Sequence, residues 1–314
     1  MVLPGLSDIT SAHDRIKPFI HRTPVLTSQQ LNRIFGCEMF FKCENFQKAG
    51  AFKFRGAANA VLQLTEEQKK KGVVTHSSGN HAAALSLAAS MNGIKARIVM
   101  PETAPEVKVN AVKGYGAEIT FCKPTLQSRE DTAKKIMEKT GAVMIHPYDN
   151  FNVICGQGTA ALELIEEIPD MDIVIAPIGG GGLMSGTSTT IKNTSKGIKV
   201  IGAEPLNAND AWKSFTSGNL TPSVNPETVA DGLLTSLSEL TFTIIRKNVD
   251  EIFTVNENTI LECLILVWER MKIIIEPSSA TVLAVIRENP DYFRGKRAGL
   301  IISGGNVDFR KLPF

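Results

Sequence analysis

The sequence predicts an α/β protein with doubly wound parallel sheets, on three observations. Apolar β-rich runs alternate with helix-like segments along the chain. Those runs are near-continuous in Val, Ile and other apolar residues, as in strands buried on both faces. Several of them end in Gly, Ser, Asn or Pro, where open parallel sheets bind their ligands.

Taken in order, the strand candidates are 38–45, 72–78, 96–101, 118–123 and 142–147, followed by 172–179, 199–205, 251–255 and 298–303. Helical patterns lie between them at 80–92, 105–113, 127–139, 152–167 and 257–274. Four strand exits are polar: "HSSGNH", "PIGGGG", "AEPLNAND" and "ISGGN". Their number predicts one shared site rather than four ordinary loops.

Composition narrows the class. The 314 residues suffice for two lobes around one cleft; 43% are apolar and 21% charged, as in ordinary globular proteins. A net charge of +2 gives no argument for nucleic acid or an anionic membrane. No apolar run spans a bilayer, and the N-terminal stretch lacks a basic-then-apolar leader pattern. Five cysteines, Cys37, Cys43, Cys122, Cys155 and Cys263, form no CxxC pair. Reduced thiols in a cytoplasmic protein are expected.

"PIGGGGLMSG" reads as strand, glycine run and helix. Glycines let successive backbone N–H groups turn toward one anion, and the helix adds its N-terminal partial charge. Gly179, Gly180, Gly181, Gly182 and Leu183 therefore form a candidate phosphate cup. The dinucleotide fingerprint fails, because Ser185 stands where its last glycine belongs. The nucleotide P-loop fails too, because Thr187 stands where a lysine is needed. A phosphorylated cofactor with its reactive end elsewhere is left.

"GAFKFRGA" places Lys53 between Phe52 and Phe54. Pyridoxal phosphate needs both an anchored phosphate and a lysine amine for its aldehyde. Lys53 then has a role, the two phenylalanines shield the site, and Arg55 and Gly56 open the next helix. Most other Lys and Arg read as solvated charges. His76, His81 and His146 lack metal-site spacing and read as polar loop histidines.

With "SSGNHAAAL", "GQGTAALE", "AEP", "ADGL" and "ISGGN" in order, the chain resembles the serine racemase and serine/threonine dehydratase family. The resemblance covers nearly its full length. It implies a two-lobe fold-type II pyridoxal-phosphate enzyme, similar to the tryptophan synthase β subunit. Residues 1–69 and 150–314 would form the large cofactor-binding lobe, and 70–149 a small mobile lobe. The regulatory domain of biosynthetic threonine dehydratases is not expected.

The resemblance also implies roles. Lys53 resembles the Schiff-base lysine. Phe52 would lie near the cofactor ring, Asn80 would bond its phenolic oxygen, and Ser303 would face its pyridine nitrogen. Ser78, Gly79, Asn80 and His81 would receive the substrate carboxylate; Ser78 or Asn80 also suits a helix cap. Arg129 is a further candidate for that carboxylate on lobe closure. The freed Lys53 amine would remove the α-proton, and Ser78 matches the acid that serves the other face in serine racemases. A neutral Ser303 disfavours a deep electron sink, hence transamination.

Glu204, the Ala208 carbonyl and Asp210 match family positions for a divalent ion, Mg²⁺ with Ca²⁺ or Mn²⁺ as alternatives. Tyr148 replaces the asparagine of vertebrate racemases. Ser28, Lys48, Tyr115, Lys272 and Asn306 match ATP-binding positions of mammalian racemases, whereas Gln29, Gln30, Ala49 and Ala83 depart from that pattern. The expected function is serine racemisation with a dehydratase side activity, in a homodimer, with D-serine, pyruvate and ammonia as products. Threonine or 3-hydroxyaspartate dehydration is the nearest alternative. A nucleotide-dependent oxidoreductase and a noncatalytic carrier represent other classes.

Overall fold

Among the described residues ten strands arise, nine of them where the apolar runs lie; the short first strand at the sheet edge has no such run. They are β1 (Val25–Leu26), β2 (Glu38–Cys43), β3 (Val73–His76), β4 (Ala96–Pro101), β5 (Glu118–Cys122), β6 (Val143–Met144), β7 (Ile173–Pro177), β8 (Lys199–Pro205), β9 (Glu251–Val255) and β10 (Arg297–Ile302). The computed structural model describes residues 1–77 and 79–312.

The strands form two sheets. The larger runs β1-β2-β10-β7-β8-β9, and the smaller β5-β4-β3-β6. Every pairing is parallel except that of β1 with β2 at the edge. In the centre of the larger sheet, Ala298 of β10 lies opposite Met39 of β2 and Ile173 of β7.

Burial explains the near-continuous apolar runs. Met39, Phe41, Ile175, Leu300 and Ile302 pack in one core with Ile260, Leu264 and Val267 of the helix Glu257–Met271. Their alternate neighbours Phe40, Val174, Val200 and Ile301 pack in another with Leu164 and Met184. A strand with period-2 side chains and a core on each face must be apolar throughout. The smaller sheet repeats this on a reduced scale. Val73, Ile98 and Met100 meet the Ala-rich helix Asn80–Met91, while Val74, Val99 and Cys122 meet Ala133.

Helix positions are set by caps and close glycine contacts. The Asn150 side chain accepts from Val153 N at 3.0 Å and starts the helix Phe151–Glu167. That helix approaches the backbone of Lys53–Leu62, where a Cβ at Gly156 would stand 2.6 Å from the Arg55 carbonyl oxygen. The "GQG" motif is therefore a packing device that brings two helices together under the site. Leu6–Ile16, a helix the sequence patterns did not reveal, buries Ile9, Ala12, His13 and Ile16.

Two basic residues depart from the solvated reading. Lys42 lies inside β2 and Arg55 inside Lys53–Leu62, both fully buried. Each has carboxylate partners distant in sequence, so no local pattern marked it. Among the described residues no helix is long and apolar enough to cross a membrane.

Candidate active site

A cavity of about 280 Å³ lies beyond the carboxyl ends of β3, β7 and β10. Three of the four polar exits meet there. His76, Ser77, Gly79, Asn80 and His81 come from the first, Gly179 to Gly182 and Leu183 from the second, and Ser303 from the last. The fourth does not: Glu204, Ala208 and Asp210 are absent from the lining. Ser78 lies outside the described residues.

Lys53 is the first residue of its helix, so the helix begins at the lysine rather than at Arg55. Its Nζ donates to the Pro147 carbonyl at 2.9 Å and stands 5.1 Å from the Phe52 ring centre. Burial lowers its pKa to about 8, against the opposing pull of Glu276. Phe52 lines the cavity and its N–H donates to the Ser303 carbonyl at 2.9 Å, tying Lys53 to the end of β10. Phe54 instead joins the core beside Ile16 and Ala57, so only one phenylalanine shields the site.

The glycine run closes the opposite end. Gly181 takes the left-handed φ of 84° as N-cap of the helix Gly182–Thr194. The first amides of a helix have no intrahelical partners and carry partial positive charge. A Cβ at Gly180 would collide with the Tyr148 ring, and one at Gly179 would stand 3.0 Å from the Gly232 carbonyl oxygen. The run is thus walled by backbone and an aromatic face, with space only for glycine.

Asn80 opens the helix Asn80–Met91, whose N-cap is Gly79, with no side-chain cap. Its side chain has another task. Nδ2 donates to both oxygens of Glu276, at 3.0 and 3.1 Å, and Oδ1 accepts from Asn306 Nδ2 at 3.0 Å. Asn306 also donates to the Ala49 carbonyl. The amide is therefore fixed in one orientation. Burial pushes the Glu276 carboxyl up to about 7, against the hydrogen bond from Asn80.

The histidines are neutral, as polar loop or core histidines would be. Burial lowers His81 to about 3, and its Nε2 meets the Ile145 carbonyl at 3.0 Å. Burial lowers His146 to about 4, and its Nδ1 accepts from Asp149 N at 2.9 Å. Its ring stacks edge-on with His76 and Tyr148. Arg129, on the helix Leu126–Thr140, lines the cavity with a buried Nε that has no partner. Ser303 Oγ lies 3.0 Å from Ser279 Oγ, so this corner holds neutral hydroxyls.

The family model for pyridoxal-phosphate dependent enzymes matches residues 16–304. The chain belongs to that family. It is 53% identical to a serine racemase of Dictyostelium discoideum, over 99% of this chain and 98% of that protein. It is 50% identical to a β-hydroxyaspartate dehydratase of Paracoccus denitrificans over the whole length of both. The solved structure of maize serine racemase superposes with a TM-score of 0.96 at 43% identity, covering 98% of this chain and 95% of that one.

Pyridoxal phosphate, the cofactor implied by the family, fits these residues. The amine at Lys53 holds its proton weakly, and the glycine run brings the N-terminus of the helix Gly182–Thr194, with its free amides, to the cavity wall, where they suit a phosphate. Both line one cavity. A pyridoxal-phosphate enzyme with this floor has residues the sequence reading missed. Glu276 stands at the N-cap position of the helix Pro277–Glu288 without a capping bond, its carboxylate turned to Asn80; its signal is an acid directly before "PSSA". Lys108 and Asp231 also line the cavity. Asp231 lies in "ADGL", where no local pattern marks it.

The outlying exit is polar in its own way. Glu204 accepts from Ala211 N at 2.9 Å and Trp212 N at 2.8 Å, and burial raises it to about 8. Burial raises Asp210 to about 6, and its Oδ2 is buried without a partner. Among the described residues no group of three His, Cys, Asp or Glu is placed to hold a metal; this exit supplies two carboxylates. The orphaned oxygen fits a cation. Ser28, Lys48, Tyr115, Lys272 and Asn306 all lie off the cavity lining. Ser28 caps the helix Gln29–Phe35, and Lys48 stands over the Phe54 ring.

Proposed function

We propose that this protein interconverts L- and D-serine and, as a side reaction, converts serine to pyruvate and ammonia. The observation that carries the reading is the Lys53 amine, half-buried at a polar cavity and pushed down to about 8 by loss of solvation. At neutral pH roughly a tenth of such an amine is unprotonated, against well under a thousandth of an ordinary lysine. It is therefore poised to bond an aldehyde and afterwards to accept a proton.

Bound pyridoxal phosphate supplies an electron sink for negative charge developing at the substrate α-carbon. Lys53 takes the α-proton on one face, and Ser78 serves the other. Gly179 to Gly182 and Leu183 hold the phosphate with backbone amides. Asn80, oriented by Glu276 and Asn306, offers its amide to the cofactor's phenolic oxygen. Phe52 and Ser303, both on the cavity lining, would face the bound ring, and the hydroxyl of Ser303 would keep charge withdrawal shallow. Ser78, Gly79, Asn80 and His81 receive the substrate carboxylate at a helix N-terminus, with Arg129 as its cation.

Residues 70–149, which contain all strands of the smaller sheet, act as a mobile lobe that closes over residues 1–69 and 150–314. Glu204, Ala208 and Asp210 hold Mg²⁺, Ca²⁺ or Mn²⁺ as a structural ion, relieving two buried carboxyls. The protein acts in the cytoplasm as a homodimer. Exposed Phe46 and Ile274, near each other through the Asn45 to Ile274 hydrogen bond, support an apolar contact surface.

Chiral chromatography of L-serine incubations tests the reading. D-serine is expected beside pyruvate, and Ser78→Ala should reduce racemisation roughly 100-fold while elimination from L-serine falls far less. Pyruvate alone would leave a dehydratase. Hydride reduction and peptide mapping should attach the cofactor to Lys53, and labelling of another lysine would remove the assignment.

A further inference from the structure

We propose that Lys108 reads the side chain of the substrate, favouring β-hydroxy amino acids that bear a second carboxylate over serine and threonine. The inference rests on the reading of the cavity as a site for β-hydroxy amino acids. It assigns a preference within that class to one residue.

Lys108 belongs to the helix Glu106–Gly114, and its Nζ reaches Asp231 Oδ2 at 2.5 Å. Asp231 starts the 3₁₀ turn Asp231–Leu233, far away in sequence. Both groups line the cavity that holds Lys53. A Cβ at Gly79 would stand 4.0 Å from Lys108 Nζ, so the ammonium sits beside the loop that leads into the helix at Asn80. A carboxylate already occupies one side of this ammonium. Asp231 marks, within the protein itself, a place where a cavity cation accepts a carboxylate.

The lining contains the cations Lys53, Lys108 and Arg129. Lys53 is committed to the cofactor and proton transfer. The α-carboxylate of any amino acid needs one partner, and Arg129 has a buried Nε without one. Lys108 is then a cation beyond the needs of serine. An ammonium has three donors, so the bond to Asp231 leaves two for a ligand. The Asp231 side chain is half exposed, which makes the bridge to it weakly held and exchangeable. Serine offers this ammonium only a hydroxyl, whereas a β-carboxylate offers a charge-assisted bond. His76 and His81, which also line the cavity, are neutral and add no cation to it.

The test compares kcat/KM for 3-hydroxyaspartate and L-serine in the holoenzyme, in Lys108→Met and in Asp231→Asn. Loss of a charged hydrogen bond predicts that Lys108→Met lowers the ratio of the two values by about 10- to 100-fold. Asp231→Asn, which frees the ammonium and removes a repelling carboxylate, should raise it by about 3- to 10-fold. A ratio that holds within about twofold in both variants overturns the inference and leaves Lys108 a strut between helix and turn. Calorimetry supplies a readout without turnover. Succinate should bind the holoenzyme at least about tenfold more tightly than propionate, and Lys108→Met should erase that difference. Equal succinate binding in wild type and variant would also overturn it. If the wild type turned over no β-hydroxy amino acid, the functional reading would fail, while the succinate comparison would still report on Lys108.

Discussion

The helix Lys53–Leu62 separates two buried polar regions whose bonding is unlike. Behind it, Arg55 donates to Glu44 through Nε at 2.7 Å and to Glu163 through Nη1 and Nη2 at 2.8 Å each. Lys42 completes the group, donating to Glu163 and to the Thr23 carbonyl at 2.6 Å each. Two cations face two carboxylates, and Thr23 and Thr159 fill the remaining positions. Burial works against ionisation of Glu163, yet hydrogen bonds from His13 and Arg55 hold its carboxyl well below the usual range. In front, burial dominates. Lys53 is pushed down, Glu276 is pushed up, and no ion pair joins them among the described residues. One region is closed by its own partners, and the other is left with valences for a ligand, so incomplete pairing marks the site better than burial does.

The sharpest way to break this contrast is to open the closed region. Glu163→Ala would leave Arg55 and Lys42 sharing one carboxylate in a fully buried setting. The expected loss is about 3–5 kcal/mol, because an uncompensated buried charge remains. Urea unfolding of the cofactor-free protein measures it. A loss below about 1 kcal/mol would mean that the cluster contributes no more than a surface pair.

How much of this was written locally differs between the two regions. The glycine run, Lys53, Asn80 and Ser303 stand in short patterns whose physics is local: a strand end, a turn only glycine can make, a helix start. Strand runs were legible because two-sided burial forces every residue to be apolar. Arg55 was not, since Glu163 lies over a hundred residues away and only the fold brings them together. Glu276 and Lys108 escaped for the same reason, their partners being Asn80 and Asp231 across the cavity. The "AEPLNAND" exit looked like the other three, but its end of β8 opens away from the shared cavity. Local sequence marks an exit and leaves its direction to the packing.

The second test concerns the open region. An amine lowered to about 8 is mostly neutral above that pH and mostly protonated below it. Bond formation between Lys53 and pyridoxal phosphate, followed by absorbance in cofactor-free protein, should therefore rise with pH to a midpoint near 8. The shift from the ordinary value corresponds to about 3 kcal/mol of preference for the neutral form. For stability the sign follows. Between about 8 and 10.5 the folded state binds fewer protons than the unfolded one, so stability should rise with pH across that window. A reaction midpoint near 10.5 would mean the site does not desolvate its amine, and the contrast would collapse.

The smallest expected effect lies at the outlying carboxyls. Glu204 is satisfied by two backbone amides, whereas Asp210 keeps one buried oxygen unpartnered. By the rule drawn from the larger regions, that oxygen awaits a ligand, and its chemistry selects a hard cation. At a free ion concentration about 100 times the dissociation constant, Mg²⁺, Ca²⁺ or Mn²⁺ should stabilise the fold by about 2.7 kcal/mol. This appears as a thermal midpoint a few degrees higher. Asp210→Ala should abolish the response while leaving the reactivity of Lys53 intact, because Asp210 lies off the cavity lining. A midpoint indifferent to all three ions would show that an orphaned buried oxygen is tolerated here, and incomplete pairing would then predict a binding site only where a cavity accompanies it.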